Sequence, residues 1–249
     1  MKNILWFIPV LVTLVLWEFV SRDGFVNPTL FPPPSQVANA FSGMVTSTLF
    51  PDLQASAWRL LLGLCVGSTI GVTCGLLTGR IQSIAAMLSP IIHILRPLPP
   101  VAIIPLVIVW FGIDDGAKIF SIAFAVFFPI WVNTHMGVQR ILRVFLWSAA
   151  LLTDSSFKIL REVVFPAALP FIIAGIRNGI AVAFIMVFVS ELAGASSGLG
   201  YRIAVMQFAY RTDEMMAALV VLGALGATAD QLFVFSTRKL YPWLRFSSA

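Results

Sequence analysis

The sequence predicts an all-α fold, a polytopic membrane protein of about six transmembrane helices, and three observations predict it. First, the 249 residues are 59% hydrophobic and only 11% charged, whereas a soluble domain carries roughly a quarter charged residues. One soluble globular domain, a disordered chain and a nucleic-acid-binding surface are all excluded on that ground. Second, the chain divides into apolar stretches at 4–20, 58–79, 84–112, 117–138, 166–192 and 214–236, each near the roughly 20 residues that a spanning helix needs. Third, the basic residues sort by side. With the N-terminus inside, Lys2, Arg80, Arg140, Arg143, Lys158, Arg161, Arg238, Lys239 and Arg245 fall inside and Arg22, Arg59, Lys118, Arg202 and Arg211 outside. That asymmetry follows the positive-inside rule and places both termini in the cytoplasm. It also accounts for the net charge of +5 without any nucleic-acid partner.

The whole chain, 1–249, reads as a single transmembrane domain. Ile4–Val20 is long for a signal sequence, contains Glu18 and lacks a small-x-small cleavage site, so it reads as a retained first span. Pro28 to Pro34 form a stiff linker, and Ser35 is a suitable N-cap for the next helix. Val37, Phe41, Val45 and Leu49 recur every four residues. They mark a short amphipathic helix that either lies on the membrane surface or packs its loop against the bundle.

The second span carries Gly63, Gly67, Gly71, Gly75 and Gly79, one every four residues. Small-xxx-small ridges let helix backbones approach closely, so this one reads as a packing ridge, with a sliding seam for gating as the functional alternative. Gly175, Gly179 and Ala183 repeat the device in the fifth span. The third stretch is interrupted by Arg96-Pro97-Leu98-Pro99-Pro100, which no regular helix tolerates. Such a break at membrane depth must be buried in protein or line a cavity. Keeping Arg80 and Arg140 on one side requires an even number of crossings between them, so 84–112 counts as one broken span. Between the fourth and fifth spans lies a cytoplasmic loop of about 139–165. After the fifth span, residues 196–200 break the chain before a short apolar helix through Ile203 and Phe208. Thr212, followed by Asp213 and Glu214, reads as the N-cap of the last span.

Arg96 and Arg177 are the costly residues, since a cation near the bilayer centre costs at least about 2.5 kcal/mol. Either they attract an anionic solute crossing the bundle, or they bond a carbonyl or an acid on a neighbouring helix. Glu191 is expected at the external surface, and Asp230 in the last span is a candidate partner for a basic residue. Cys65 and Cys74 lie in an apolar run and read as small buried hydrophobes. His93 and His135 are the only histidines, so no metal site is expected. No G-x-x-x-x-G-K-[ST] loop occurs, so the chain has no phosphate cradle of its own and any ATP hydrolysis belongs to a partner. Without further information a secondary transporter or channel is the alternative, disfavoured by the lack of a chain of buried acids or evident inverted repeats. A membrane enzyme is disfavoured by the scarcity of His, Cys and paired carboxylates.

The loop from Trp147-Ser148-Ala149-Ala150-Leu151-Leu152-Thr153-Asp154 to Val163-Val164-Phe165-Pro166-Ala167-Ala168-Leu169-Pro170 resembles the cytoplasmic signature of binding-protein-dependent ABC importer permeases. That signature reads E-A-A, three residues, Gly, nine residues, I-x-L-P. Aligned on Pro170, it places its Glu at Trp147, its alanines at Ser148 and Ala149, and its Gly at Thr153, so the upstream half is altered and the downstream half kept. Leu95-Arg96-Pro97-Leu98-Pro99-Pro100, Trp110-Phe111-Gly112, Phe128-Pro129-Ile130-Trp131 and Ser190-Glu191-Leu192 through Gly200-Tyr201 resemble the nitrate, taurine, sulfonate and bicarbonate branch. The resemblance implies a type I ABC importer permease in a bacterial inner membrane, carrying a small anionic solute. It implies no cofactor bound by this chain, with ATP and Mg in partner ATPase subunits. It also implies a periplasmic or lipid-anchored solute-binding protein, meeting residues near 113–118 and 196–214, and a second permease subunit, in a homodimer or in a heterodimer with a similar permease. Residues 147–158 become the coupling helix that fits the ATPase, with Trp147, Ser148, Ala149, Thr153, Asp154 and Lys158 on it.

Overall fold

The computed structural model describes residues 4–23 and 26–243, and every regular element among them is helical. Lys2 and Arg245 of the charge asymmetry lie outside the described residues. The elements run in order α1 (Ile4–Arg22), α2 (Pro34–Ser47), α3 (Leu49–Arg80), α4 (Gln82–Leu95), a 3₁₀ turn at Pro100–Ile103, and α5 (Ile104–Phe111). They continue with α6 (Asp115–Gln139), α7 (Arg143–Leu152), α8 (Ser156–Ile159), a π-helical turn at Leu160–Val164, α9 (Phe165–Leu192), α10 (Leu199–Phe208) and α11 (Thr212–Leu240).

Helix α6 occupies the centre, packed between α3 and α9. The glycine ridge of α3 makes one of these contacts. A Cβ added at Gly63 would sit 2.6 Å from Ile122, one at Gly67 2.6 Å from the Ala123 carbonyl, and one at Gly71 3.0 Å from Ile130. At Gly75 and Gly79 the Thr134 and Val138 side chains would be met at 2.5 and 2.6 Å. The partners on α6 advance almost in step with the glycines, so the two backbones stay close over most of their length. On the other face of α6, Gly175 and Gly179 of α9 lie against Ile130 and its neighbours. The core between the three helices is apolar, with Leu60, Ile122, Val126, Ile130, Ala183 and Met186 buried together. Without a hydrophobic drive between helices in lipid, this close packing is what associates them.

Among the described residues four helices, α3, α6, α8–α9 together and α11, are long and apolar enough to cross a membrane, and α4 with α5, bent by 87°, makes a fifth when counted as one broken span. Helix α1, also apolar, has 19 residues, or about 28 Å at 1.5 Å per residue, close to the hydrocarbon thickness. The bend falls where the prolines require it. Pro97, Pro99 and Pro100 lack N–H groups, and Pro99, which precedes a proline, is extended at φ −60° and ψ 121°.

Three local expectations change. Ser35 does not cap α2; Pro33 precedes the helix, and the Ser35 hydroxyl and backbone N–H instead donate to Glu18 at 2.8 and 3.0 Å. The buried residues of α2 are Val37 and Met44, which join Ile203, Ala217 and Ala218, while Phe41 and Val45 are exposed. This helix therefore packs its loop onto α10 and α11. Thr212 is the first residue of α11 and makes no cap bond; its hydroxyl donates to the Thr29 carbonyl, because the 26–33 linker passes close enough to offer an acceptor.

Candidate functional site

At the end of the bundle that carries α10, charged residues from four helices meet in a buried cluster. Arg59 on α3 is 3% exposed and Glu191 on α9 is 1% exposed, and their Nη1 and Oε1 atoms are 2.8 Å apart. Arg59 Nε also donates to Asp115 on α6 at 2.7 Å. Its two Nη atoms donate to the carbonyl and hydroxyl of Ser197 at 2.7 and 3.1 Å. Glu191 accepts from Ser56 Oγ at 2.9 Å and from the Gly200 N–H at 2.9 Å. Asp52 accepts from the Gly198 N–H at 2.9 Å and pairs with Arg202 at 2.8 Å.

These bonds satisfy the buried charges and stitch residues 197–202 to α3. Gly198 is required at the centre of the stitch. Its φ is +118°, and a Cβ there would collide with the Glu191 carboxyl group. Lys118, also buried, donates to the Ile113 and Asp114 carbonyls at 2.5 and 3.3 Å.

Near the middle of the bundle the two costly arginines part ways. Arg177 on α9 forms a bidentate pair with Asp230 on α11, at 2.7 and 2.8 Å. The acid on a neighbouring helix is therefore its partner, and the pair stays on the surface of the single chain, with side chains 55% and 30% exposed. Arg96 sits at the α4–α5 bend, exposed, and has no carboxylate within ion-pair distance among the described residues. It lines a groove of about 400 Å³ together with Pro100, Ala125, Phe128, Pro129, Val132, Asn133 and Val182.

At the opposite end of the bundle, the loop between α6 and α9 folds as two short helices. The single helix expected over 147–158 is instead α7, ending at Leu152, and α8, starting at Ser156. The break lies at Thr153, whose φ and ψ of −159° and 140° are extended, and Ser155 caps α8 by accepting from the Lys158 N–H at 3.3 Å. Extended backbone suits any residue, so threonine at the position of the family's glycine carries no conformational penalty here. Trp147, Ser148, Asp154 and Lys158 are exposed and Thr153 is half-buried. Ala149 differs: it turns inward onto Val138, Ile159, Val164 and Ala168. The exposed side of the loop is apolar, with Trp147 65%, Leu151 88%, Leu152 87% and Phe157 71% accessible. The π turn and Pro166 then join it directly to α9.

Comparison with known proteins fits this architecture. Residues 67–246 match the family model described as the binding-protein-dependent transport system inner membrane component. The chain belongs to this family. A putative aliphatic sulfonates transport permease of Bacillus subtilis (strain 168) is 33% identical over 233 residues, covering 93% of this chain and 84% of that protein. The taurine transport system permease of Escherichia coli (strain K12) is 31% identical over 238 residues, covering 93% and 86%. Among solved structures, an amino acid ABC transporter matches with a TM-score of 0.60 at 17% identity, covering 84% of this chain and 96% of that one. The MetNI methionine ABC transporter in an inward-facing conformation matches with a TM-score of 0.56 at 21% identity, covering 74% and 92%. These last two share the fold. This protein is thus a membrane-spanning permease subunit of an ABC importer.

The buried cluster is what sequence reasoning missed. Arg59 counts only as an outside charge in the sequence, and Glu191 is expected at the surface. Spacing could not pair them, because 132 residues separate them. The available signal was the placement of an acid at the end of a 28-residue apolar helix beside a glycine pair.

Proposed function

We propose that this permease imports a small organic anion of the aliphatic sulfonate and taurine class, as two copies driven by ABC ATPase subunits and fed by a solute-binding protein. The observation that carries the ATPase coupling is the apolar face of the α7–α8 loop. Trp147, Leu151, Leu152 and Phe157 project from a segment flanked by Arg140, Arg143, Lys158 and Arg161. Its basic flanks support a cytoplasmic position for that segment. A rigid two-helix element fused to α9 is suited to carry motion from a docked ATPase into the bundle. In this orientation both termini are cytoplasmic, and the α10 end, with residues 113–118 and 196–214, meets the binding protein. The sulfonate class is supported by two relatives that match nearly the full chain and carry sulfonate or taurine transport names.

Affinity purification in mild detergent from native membranes, followed by mass spectrometry, tests this reading. A near-stoichiometric ATPase with a phosphate-binding loop is the expected companion. Repeated recovery of the permease without one would favour an ATPase-independent transporter.

A further inference from the structure

We propose that Arg96 and Asn133 hold the anionic head of the transported solute at mid-membrane depth, with Phe128, Val132 and Val182 accepting its apolar part. This rests on the importer reading above and assigns the place in the membrane where the solute is bound. Depth is the first argument. Pro129, at the floor of the groove, lies about 21 Å from Asp115 and about 15 Å from Gln139 along α6 at 1.5 Å per residue, so the groove is near the bilayer centre. An arginine at that depth must pair, or face a polar cavity or water.

Arg177 resolves the same problem through Asp230. Arg96 has no such acid among the described residues, and its groove is open. The planar fork of guanidinium donors is therefore not engaged by a carboxylate among the described residues, and it matches a sulfonate or carboxylate ligand.

The lining gives the rest of the ligand's chemistry. Asn133 uses one Nδ2 hydrogen on the Pro129 carbonyl at 2.7 Å, which leaves its second hydrogen and its Oδ1 for a ligand. Ala125, Phe128, Val132 and Val182 supply an apolar wall to a groove of about 400 Å³, within the size range of small-molecule sites. One cation and one amide beside an apolar wall suit a short alkanesulfonate better than a bare inorganic anion, which would gain nothing from the wall. A lipid headgroup has the same anionic chemistry but lies at the interface, more than about 10 Å from this depth.

The test uses the permease assembled with its ATPase and binding protein in proteoliposomes. In a Cys65→Ala, Cys74→Ala background that keeps Arg96 and Asn133, Val132→Cys on the groove wall should be modified by the membrane-impermeant, anionic reagent 2-sulfonatoethyl methanethiosulfonate. Propanesulfonate at about ten times its Kd leaves roughly one groove in eleven empty, so it should slow that modification roughly tenfold. Absence of modification, or a rate indifferent to propanesulfonate, overturns the site; modification only by a lipid-partitioning maleimide does so too and assigns the groove to lipid. In parallel, Arg96→Met should lower propanesulfonate import by roughly 10- to 100-fold, and Arg96→Lys should retain more than Arg96→Met. Equal import by wild type and Arg96→Met overturns this site alone. A wild-type complex that imports no alkanesulfonate overturns the solute assignment as well. Should Arg96→Met fail to assemble, the thiol measurement decides.

Discussion

Two ion pairs of the same chemistry sit in opposite circumstances. Arg59–Glu191 is closed off, with side chains 4% and 1% exposed, and Arg177–Asp230 is open, at 55% and 30%. In the first, both side chains bond several partners, and the pair ties α3, α6, α9 and the 197–202 segment together. In the second, two groups serve only each other across α9 and α11. The difference teaches that charge in this bundle does two jobs. At the α10 end it is structural, because removing Arg59 strands the buried Glu191 carboxylate without a cation. At mid-depth the pair neutralises an arginine of α9 and ties it to α11, a helix that otherwise contacts the core sparsely, with only 6% of its apolar window buried.

The comparison can be broken or sharpened by substitution. The largest effect is expected from Arg59→Met, which strands Glu191; a loss of about 3–5 kcal/mol should appear in unfolding of the detergent-solubilised protein. The double substitution Arg59→Met with Glu191→Met should recover part of that loss, and a double variant as unstable as the single one would contradict the pairing account. Next comes Gly75→Leu, which forces a side chain into the 2.5 Å approach to Thr134. Overpacking of about 1–3 kcal/mol should lower the melting temperature, whereas Gly223→Ala, with nothing within 4 Å of the added carbon, should leave it unchanged or raise it. Asp230→Asn should cost less, about 0.6–1.7 kcal/mol, the range for polar contacts between transmembrane helices. The smallest change in stability, within about 0.5 kcal/mol, is expected for Leu151→Asp with Leu152→Asp. Co-purification of the ATPase with that variant should nevertheless fall by more than tenfold, and undiminished co-purification would remove the docking face from α7.

The legible and illegible parts of the sequence divide along physical lines. The α3 glycines and the proline break at 97–100 could be read because backbone sterics act locally and need no partner to be known. Ala149 could not be placed: an alanine in a helix reads the same whether it faces an ATPase or, as here, Ile159 and Val164. Ser35 and Thr212 do not cap because their helices begin earlier than expected, with Pro33 and Arg211 at the cap positions, and their hydroxyls donate instead to Glu18 and the Thr29 carbonyl. Arg177 left two alternatives open until α11 brought Asp230 beside it.

The sequence by itself determined the membrane class, the order of the spans, the bent crossing and the family signature. Each follows from composition, helical period or residue chemistry within a few turns of chain. Only the tertiary structure decided that Arg59 meets Glu191, that the coupling segment divides at Thr153, and that Arg96 rather than Arg177 stays without an acid. Those outcomes depend on which helix faces span the same depth, and electrostatic pairing acts across space between residues that the chain keeps far apart.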